Sequence, residues 1–99
     1  ISSAAVEEVL YRLPGIAEAA VVAVPHEGLG EDLAACVVLA PGMSFNLPAA
    51  LSHCRAFLGE FQVPRRWHVL GALPKNPMGK ILKRELRRDI LTLQPELLP

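Results

Sequence analysis

The sequence predicts a small α+β domain with a sheet of about three strands, flanking helices and the element order α-β-β-α-β-α. Three segments carry apolar residues at the spacing of one helical face, and short valine-rich or aromatic runs bounded by proline and glycine lie between them. The 99 residues are 52% hydrophobic and 20% charged, which is ordinary for a globular domain with one core and unlike a disordered chain.

The first helix is predicted over residues 3–13. Ser2 or Ser3 can cap its start. Pro14 and Gly15 should end it, because proline cannot continue the hydrogen-bond ladder and glycine tolerates the terminating backbone. Its predicted apolar face consists of Val6, Val9, Leu10 and Leu13.

Two strands that form an antiparallel hairpin are predicted next. Residues 19–24 are a short valine-rich run closed by Pro25, which is typical of a buried strand. Residues 26–32 read HEGLGED, a turn that leads into a second run of small and branched apolar residues at 33–40. We expect a hairpin with a longer loop, whose register the sequence leaves open.

The second half of the chain predicts a helix, a short strand and a final helix. Apolar residues share one helical face over residues 47–60, and residues 67–70 are strand-like, with Trp67 expected in the core. Pro95 should stop the final helix. The apolar stripe of that helix consists of Leu82, Leu86, Ile90 and Leu93.

Cys36 and Cys54 lie in apolar surroundings, with no further thiol or histidine cluster at metal-ligand spacing. We therefore expect two buried thiols and no metal site. His53 beside Cys54 suggests a nucleophile pair, but adjacent residues on a helix point about 100° apart, which disfavours that interpretation.

Membrane and targeting signals are missing from the sequence. No uncharged apolar run approaches the roughly 18 residues that a spanning helix requires, so we expect no membrane span. Ile1 stands in place of an initiator methionine, and no signal-like segment follows it. These features predict an internal boundary of a longer, cytoplasmic protein.

The charge is divided unevenly between the two halves. Two basic and seven acidic residues precede position 65, while eight basic and three acidic residues follow, so the halves carry −5 and +5. The positive half invites an anionic partner, and one hypothesis is a free-standing basic interaction module that binds, for example, nucleic acid. Acidic residues interleaved along the final helix argue against it. We expect a solvated face from Lys83, Arg84, Arg87 and Arg88.

The loop from residue 74 to residue 80 concentrates the chemistry. Pro74 and Pro77 stiffen it, Gly79 permits an unusual backbone, and Lys80 follows near the start of a helix. A lysine so placed can reach a phosphate or carboxylate oxygen, although a solvated turn lysine has the same spacing. The loop is no Walker-type phosphate loop, because the leading glycine and the hydroxyl residue after the lysine are absent.

The run PKNPMGKILKRELR at residues 74–87 resembles the C-terminal signature of the adenylate-forming superfamily, which includes acyl-CoA ligases, luciferases and peptide-synthetase adenylation domains. The resemblance extends over residues 1–39 and 61–74, and so covers essentially the whole chain. The residues after Lys80 favour the acyl-CoA ligase branch, since peptide-synthetase domains commonly continue with a branched residue, Asp and Arg.

The resemblance implies a C-terminal, mobile lid domain of an AMP-forming ligase, with the N-terminal adenylation domain absent from residues 1–99. Such enzymes join a carboxylic acid to AMP from ATP and pass the acyl group to a thiol, with ATP, Mg²⁺ and CoA used by the full-length enzyme. Lys80 matches the catalytic lysine, Gly79 shapes the loop and Met78 is expected to pack. The resemblance further implies an inactive isolated domain, no nucleic-acid partner and, as a hypothesis, inactivation by acetylation of Lys80.

Overall fold

The computed structural model describes residues 3–26, 28 and 30–92. A short 3-10 helix at Glu60–Gln62 precedes the last strand. The helices and strands of the described residues are α1 (Ser3–Tyr11), β1 (Ile16–His26), β2 (Gly30–Leu39), α2 (Leu47–Phe57), β3 (Arg66–Val69) and α3 (Lys83–Leu91). This order confirms the predicted α+β class and the sequence α-β-β-α-β-α.

The three strands form one mixed sheet in the order β1-β2-β3. β1 and β2 are antiparallel, with Val21 opposite Ala35, and β2 and β3 are parallel, with Ala35 opposite Trp67. A parallel pair needs a crossover connection, and residues 40–65, which include α2, supply it. The antiparallel pairing of β1 with β2 confirms the predicted hairpin.

The hairpin strands are longer, and their loop shorter, than predicted. Pairing continues to His26 opposite Gly30, whereas the sequence suggested that Pro25 would close the strand. Pro25 instead lies within β1 and faces Glu31. β1 is an edge strand, and the missing N–H of a proline is tolerated there.

The alternation of side chains along β1 divides the core between the two faces of the sheet. Ala19 and Val21 lie on the face that α1 and α2 cover, together with Trp67. Ala20 and Val22 lie on the opposite face, which α3 covers with Leu86 and Ile90. Trp67 is fully buried and its Nε1 donates to the Pro64 carbonyl at 3.0 Å, which confirms its core role.

The second helix ends earlier than residue 60. Its first turn is capped by Asn46, whose side chain accepts from Ala49 N at 2.9 Å. Its end is set by Leu58, which takes an extended backbone while its N–H still donates to the Cys54 carbonyl. The predicted roles of Ser2, Leu93 and Pro95 lie outside the described residues.

Both cysteines are free and buried, as predicted. Burial raises the pKa of Cys36 to about 12 and that of Cys54 to about 11, so neither thiol is a ready nucleophile. The imidazole of His53 binds the Val9 carbonyl through Nε2 at 2.7 Å, in agreement with the rejection of a Cys54–His53 pair. Within the described part of the chain, no helix is long and apolar enough to cross a membrane. The cytoplasmic location stays a prediction.

Candidate active-site loop

The segment that joins β3 to α3 contains a closed hairpin-like turn, which we name the Lys80 loop (residues 74–82). Lys75 and Ile81 form an antiparallel bridge at its base. Leu82 N donates to the Pro74 carbonyl at 2.8 Å, and Asn76 N donates to the Lys80 carbonyl at 2.9 Å. These bonds hold the two arms of the loop together, and residues 77–80 between the arms are exposed.

Asn76 organises the tip of the Lys80 loop. Its Oδ1 accepts hydrogen bonds from Met78 N and Lys80 N, both at 2.9 Å. Gly79 N donates to the Asn76 carbonyl, and Gly79 itself has φ +87°, a backbone conformation that residues other than glycine rarely adopt. Asn76 was not among the predicted site residues, although asparagine in a proline- and glycine-rich turn commonly binds the backbone two residues on.

The side chain of Lys80 is exposed and makes no hydrogen bond or ion pair within the described residues. The other two lysines of the chain differ from it. Lys75 pairs with Glu18 at 2.5 Å, and Lys83 pairs with Glu7 at 2.6 Å. The loop therefore presents one available ammonium at its tip, while the lysines on either side are held by carboxylates.

The groove beside the loop is open and lined by residues 80–85. Arg84 is exposed there and, like Lys80, has no partner among residues 3–26, 28 and 30–92. The loop tip and the first turn of α3 thus offer two uncommitted positive charges to the same side of the domain. An exposed ammonium at the tip of a loop is suited to a phosphate or carboxylate oxygen.

Two expectations about side chains near the loop were wrong. Met78 was expected to pack, but it is 92% exposed because the turn that Asn76 stabilises carries it away from the core. Lys83 and Arg87 do not belong to a solvated face: both are half-buried, and Arg87 Nε donates to the Ala23 carbonyl at 2.8 Å. Lys83 is held by Glu7 of α1, and Arg87 by the backbone of β1. Arg84 and Arg88 are exposed as predicted.

Comparison with protein families shows that the chain belongs to the AMP-binding enzyme C-terminal domain family, whose model matches residues 5–80 and so ends at Lys80. The resemblance to adenylate-forming enzymes is thereby confirmed. The match covers most of α1, the sheet and α2, and it ends within the Lys80 loop.

Two relatives of the chain are named as different kinds of ligase. The chain is 42% identical over 86 residues to the 4-chlorobenzoate–CoA ligase of a Pseudomonas species, covering 86% of this chain and 16% of the relative. It is 43% identical over 84 residues to the fatty acid–[acyl-carrier-protein] ligase ScoC of Streptomyces coeruleorubidus, covering 85% and 16%. The chain therefore spans about one sixth of the length of these relatives.

The same fold is found in a solved structure. The ATP-bound MatB of Rhodopseudomonas palustris superposes with a TM-score of 0.88 at 29% identity, over 94% of this chain and 18% of that one. The chain thus corresponds to a small part of a much longer polypeptide in both comparisons.

Proposed function

We propose that this chain is the mobile C-terminal domain of an ATP-dependent, AMP-forming acid–thiol ligase, and that Lys80 is its catalytic lysine. The observation that carries the proposal is the placement of Lys80: an exposed ammonium without a partner among the described residues, at the tip of a braced turn where the family match ends. The long relatives named as ligases support the enzymatic class.

The proposed first half-reaction has an electrostatic difficulty that a lysine relieves. An oxygen of the substrate carboxylate attacks the α-phosphorus of ATP, the bond to pyrophosphate breaks, and the products are an acyl-adenylate and pyrophosphate. Both reactants are anionic, so a cation between the carboxylate and the phosphate oxygens stabilises the approach and the developing charge. At 4 Å a unit charge is worth about 4 kcal/mol at an effective dielectric near 20.

The second half-reaction needs no cation at the same place. A thiolate attacks the acyl carbonyl, the thioester forms and AMP leaves with the electron pair of the broken bond. We propose that rotation of this domain withdraws Lys80 between the two steps. The loop suits that task because its internal hydrogen bonds hold the backbone of Lys80 in a defined turn.

The remaining parts of the proposed enzyme lie outside this chain. The carboxylic acid, ATP and Mg²⁺ would bind to an N-terminal adenylation domain, and Mg²⁺ would neutralise phosphate charge there. CoA is the proposed thiol, since the residues after Lys80 favour the acyl-CoA ligase branch. The isolated domain should be inactive, because it contributes a lysine to a site that another domain builds.

The test compares Lys80→Ala with the parent in the full-length ligase, one half-reaction at a time. Acyl-adenylate formation, followed by pyrophosphate release, should fall roughly a hundredfold or more, as for the loss of one transition-state donor. Thioester formation from preformed acyl-adenylate and CoA should continue at the parental rate. Parental adenylation by Lys80→Ala would refute the assignment.

Arg84→Ala provides a matched control. Arg84 is also an exposed cation without a partner in the described residues, and it lines the same groove. Its removal should leave adenylation within a few-fold of the parent, whereas a loss equal to that of Lys80→Ala would mean that general positive charge, rather than the placed ammonium, is what the reaction needs.

A further inference from the structure

The Lys80 loop is held at both ends by ion pairs that come from outside it. One pair lies at Lys75, five positions before Lys80, and the other at Lys83, three positions after it. The partners, Glu18 and Glu7, belong to β1 and α1. Neither carboxylate was singled out by the sequence, because the loop and its partners are more than 50 positions apart.

The first pair joins the base of the loop to the sheet. Lys75 Nζ lies 2.5 Å from Glu18 Oε1, and the Glu18 side chain is 29% exposed. The register of β1 against β2 shifts between Ile16 and Glu18, an irregularity of the kind that re-aims a side chain. Since Lys75 also pairs with Ile81 across the loop, its position determines the direction of both arms.

The second pair joins the start of α3 to α1 around the edge of the sheet. Glu7 Oε2 accepts from Lys83 Nζ at 2.6 Å and from the backbone N–H of Val21 at 2.7 Å. Lys83 Nζ also donates to Ser3 Oγ at 3.2 Å. Glu7 is only 18% exposed, so one carboxylate satisfies an edge-strand donor and fixes the first residue of α3 at the same time.

We propose that Glu18 and Glu7 are positioning residues that aim Lys80 into the adenylation site. This inference rests on the proposed catalytic role of Lys80. Neither carboxylate touches substrate: each neutralises a flanking lysine and fixes one end of the loop, so that Lys80 remains the lysine that is free to reach an anion. An error of about 1 Å in a group that meets the transition state can cost a factor of about 100, so loss of one brace should be measurable.

The surrounding structure distinguishes these two pairs from ordinary surface pairs. Arg12 and Glu8 also form an ion pair, but their side chains are 54% and 71% exposed and the distance is 3.2 Å. Exposed pairs of that kind contribute little. The ion pairs of Glu7 and Glu18 are shorter, and the two carboxylates are more buried, so their charges are less screened by solvent. Each pair also joins separate parts of the fold, so the position of the loop depends on it.

The experiment compares Glu18→Gln and Glu7→Gln with Glu8→Gln in the full-length ligase. Glu8 is adjacent to Glu7 on α1 but pairs with Arg12 instead of a lysine that flanks the loop, which makes it a matched control. Glu18→Gln should lower kcat for acyl-adenylate formation about tenfold, with thioester formation from preformed adenylate unchanged. Glu8→Gln should match the parent in both. Equal losses in both half-reactions, or none in either, would overturn the proposal.

A charge exchange tests the pairing itself. Glu18→Lys alone should impair adenylation, and adding Lys75→Glu should restore most of the loss, because the pair is rebuilt with its signs reversed. A double variant as impaired as Glu18→Lys would contradict the positioning role. Should Glu7→Gln fail to fold, the Glu18 variants decide the question, since Glu18 carries no edge-strand hydrogen bond of the kind that Glu7 accepts.

Limited trypsin digestion supplies a readout that does not depend on catalysis. Cleavage after Lys80 requires the loop to open, and in Glu18→Gln it should become about fivefold faster at an unchanged melting temperature. If Lys80→Ala left adenylation intact, the proposed function would fail while this digestion result would still report whether Glu18 braces the loop. Unchanged cleavage would refute the brace.

Discussion

Replacing Gly79 with alanine measures the backbone strain that glycine avoids in the Lys80 loop. The residue has φ +87°, and a Cβ placed on it meets nothing within 4 Å. Replacement by alanine therefore introduces no collision with a neighbour, and its whole cost arises from the backbone conformation. Gly71 is the matched control, because a Cβ there also meets nothing within 4 Å and its φ lies outside the left-handed region.

The magnitude follows from two opposing terms. A residue with a Cβ in the left-handed region costs about 1–2 kcal/mol, while alanine in place of glycine stabilises by about 0.4–1 kcal/mol through the unfolded chain. Gly79→Ala should therefore lower the free energy of unfolding by about 1 kcal/mol. Gly71→Ala has only the favourable term and should be neutral or slightly stabilising.

Urea denaturation of both variants, at equal m-values, measures the difference between them. Adenylation should fall in Gly79→Ala and not in Gly71→Ala, because the relaxed loop no longer places Lys80. If the two variants had the same free energy of unfolding and the same adenylation rate, the positive φ of Gly79 would not shape the loop, and the predicted role of Gly79 would be refuted.

Two further predictions concern the core. Trp67→Phe removes the hydrogen bond to the Pro64 carbonyl and leaves a cavity, so the free energy of unfolding should fall by about 2–3 kcal/mol in urea denaturation; a change below 0.5 kcal/mol would show that the indole is not needed. Burial raises the pKa of Cys36 to about 12 and that of Cys54 to about 11, so the unfolded chain loses its thiol protons at lower pH than the folded chain does. The free energy of unfolding should therefore fall as pH rises above about 9, by up to about 1.4 kcal/mol per pH unit for each thiol. The double variant Cys36→Ala/Cys54→Ala should show a shallower slope, and an identical slope would contradict the raised pKa values.

Local patterns in the sequence were sufficient for the elements and for the candidate lysine. The helical spacing of Val6 and Leu10, the valine-rich run of β1 and the stripe of Leu86 and Ile90 each reflect which side chains face apolar surroundings, so they predicted the elements and the core. The prolines, Gly79 and Lys80 are contiguous, and a turn is a local structure, so the loop was also predictable.

Tertiary structure alone decided how that loop is held and which cations remain available. Lys75, Lys80 and Lys83 have the same side chain and lie within nine positions, and nothing local indicates which of them a carboxylate binds. The fold brings Glu18 to Lys75 and Glu7 to Lys83, and leaves Lys80 without a carboxylate in the described part of the chain. The energy of an ion pair depends on the distance between its charges in space, which bears no relation to their separation along the chain. Only the packed structure could therefore show which of the three lysines are paired.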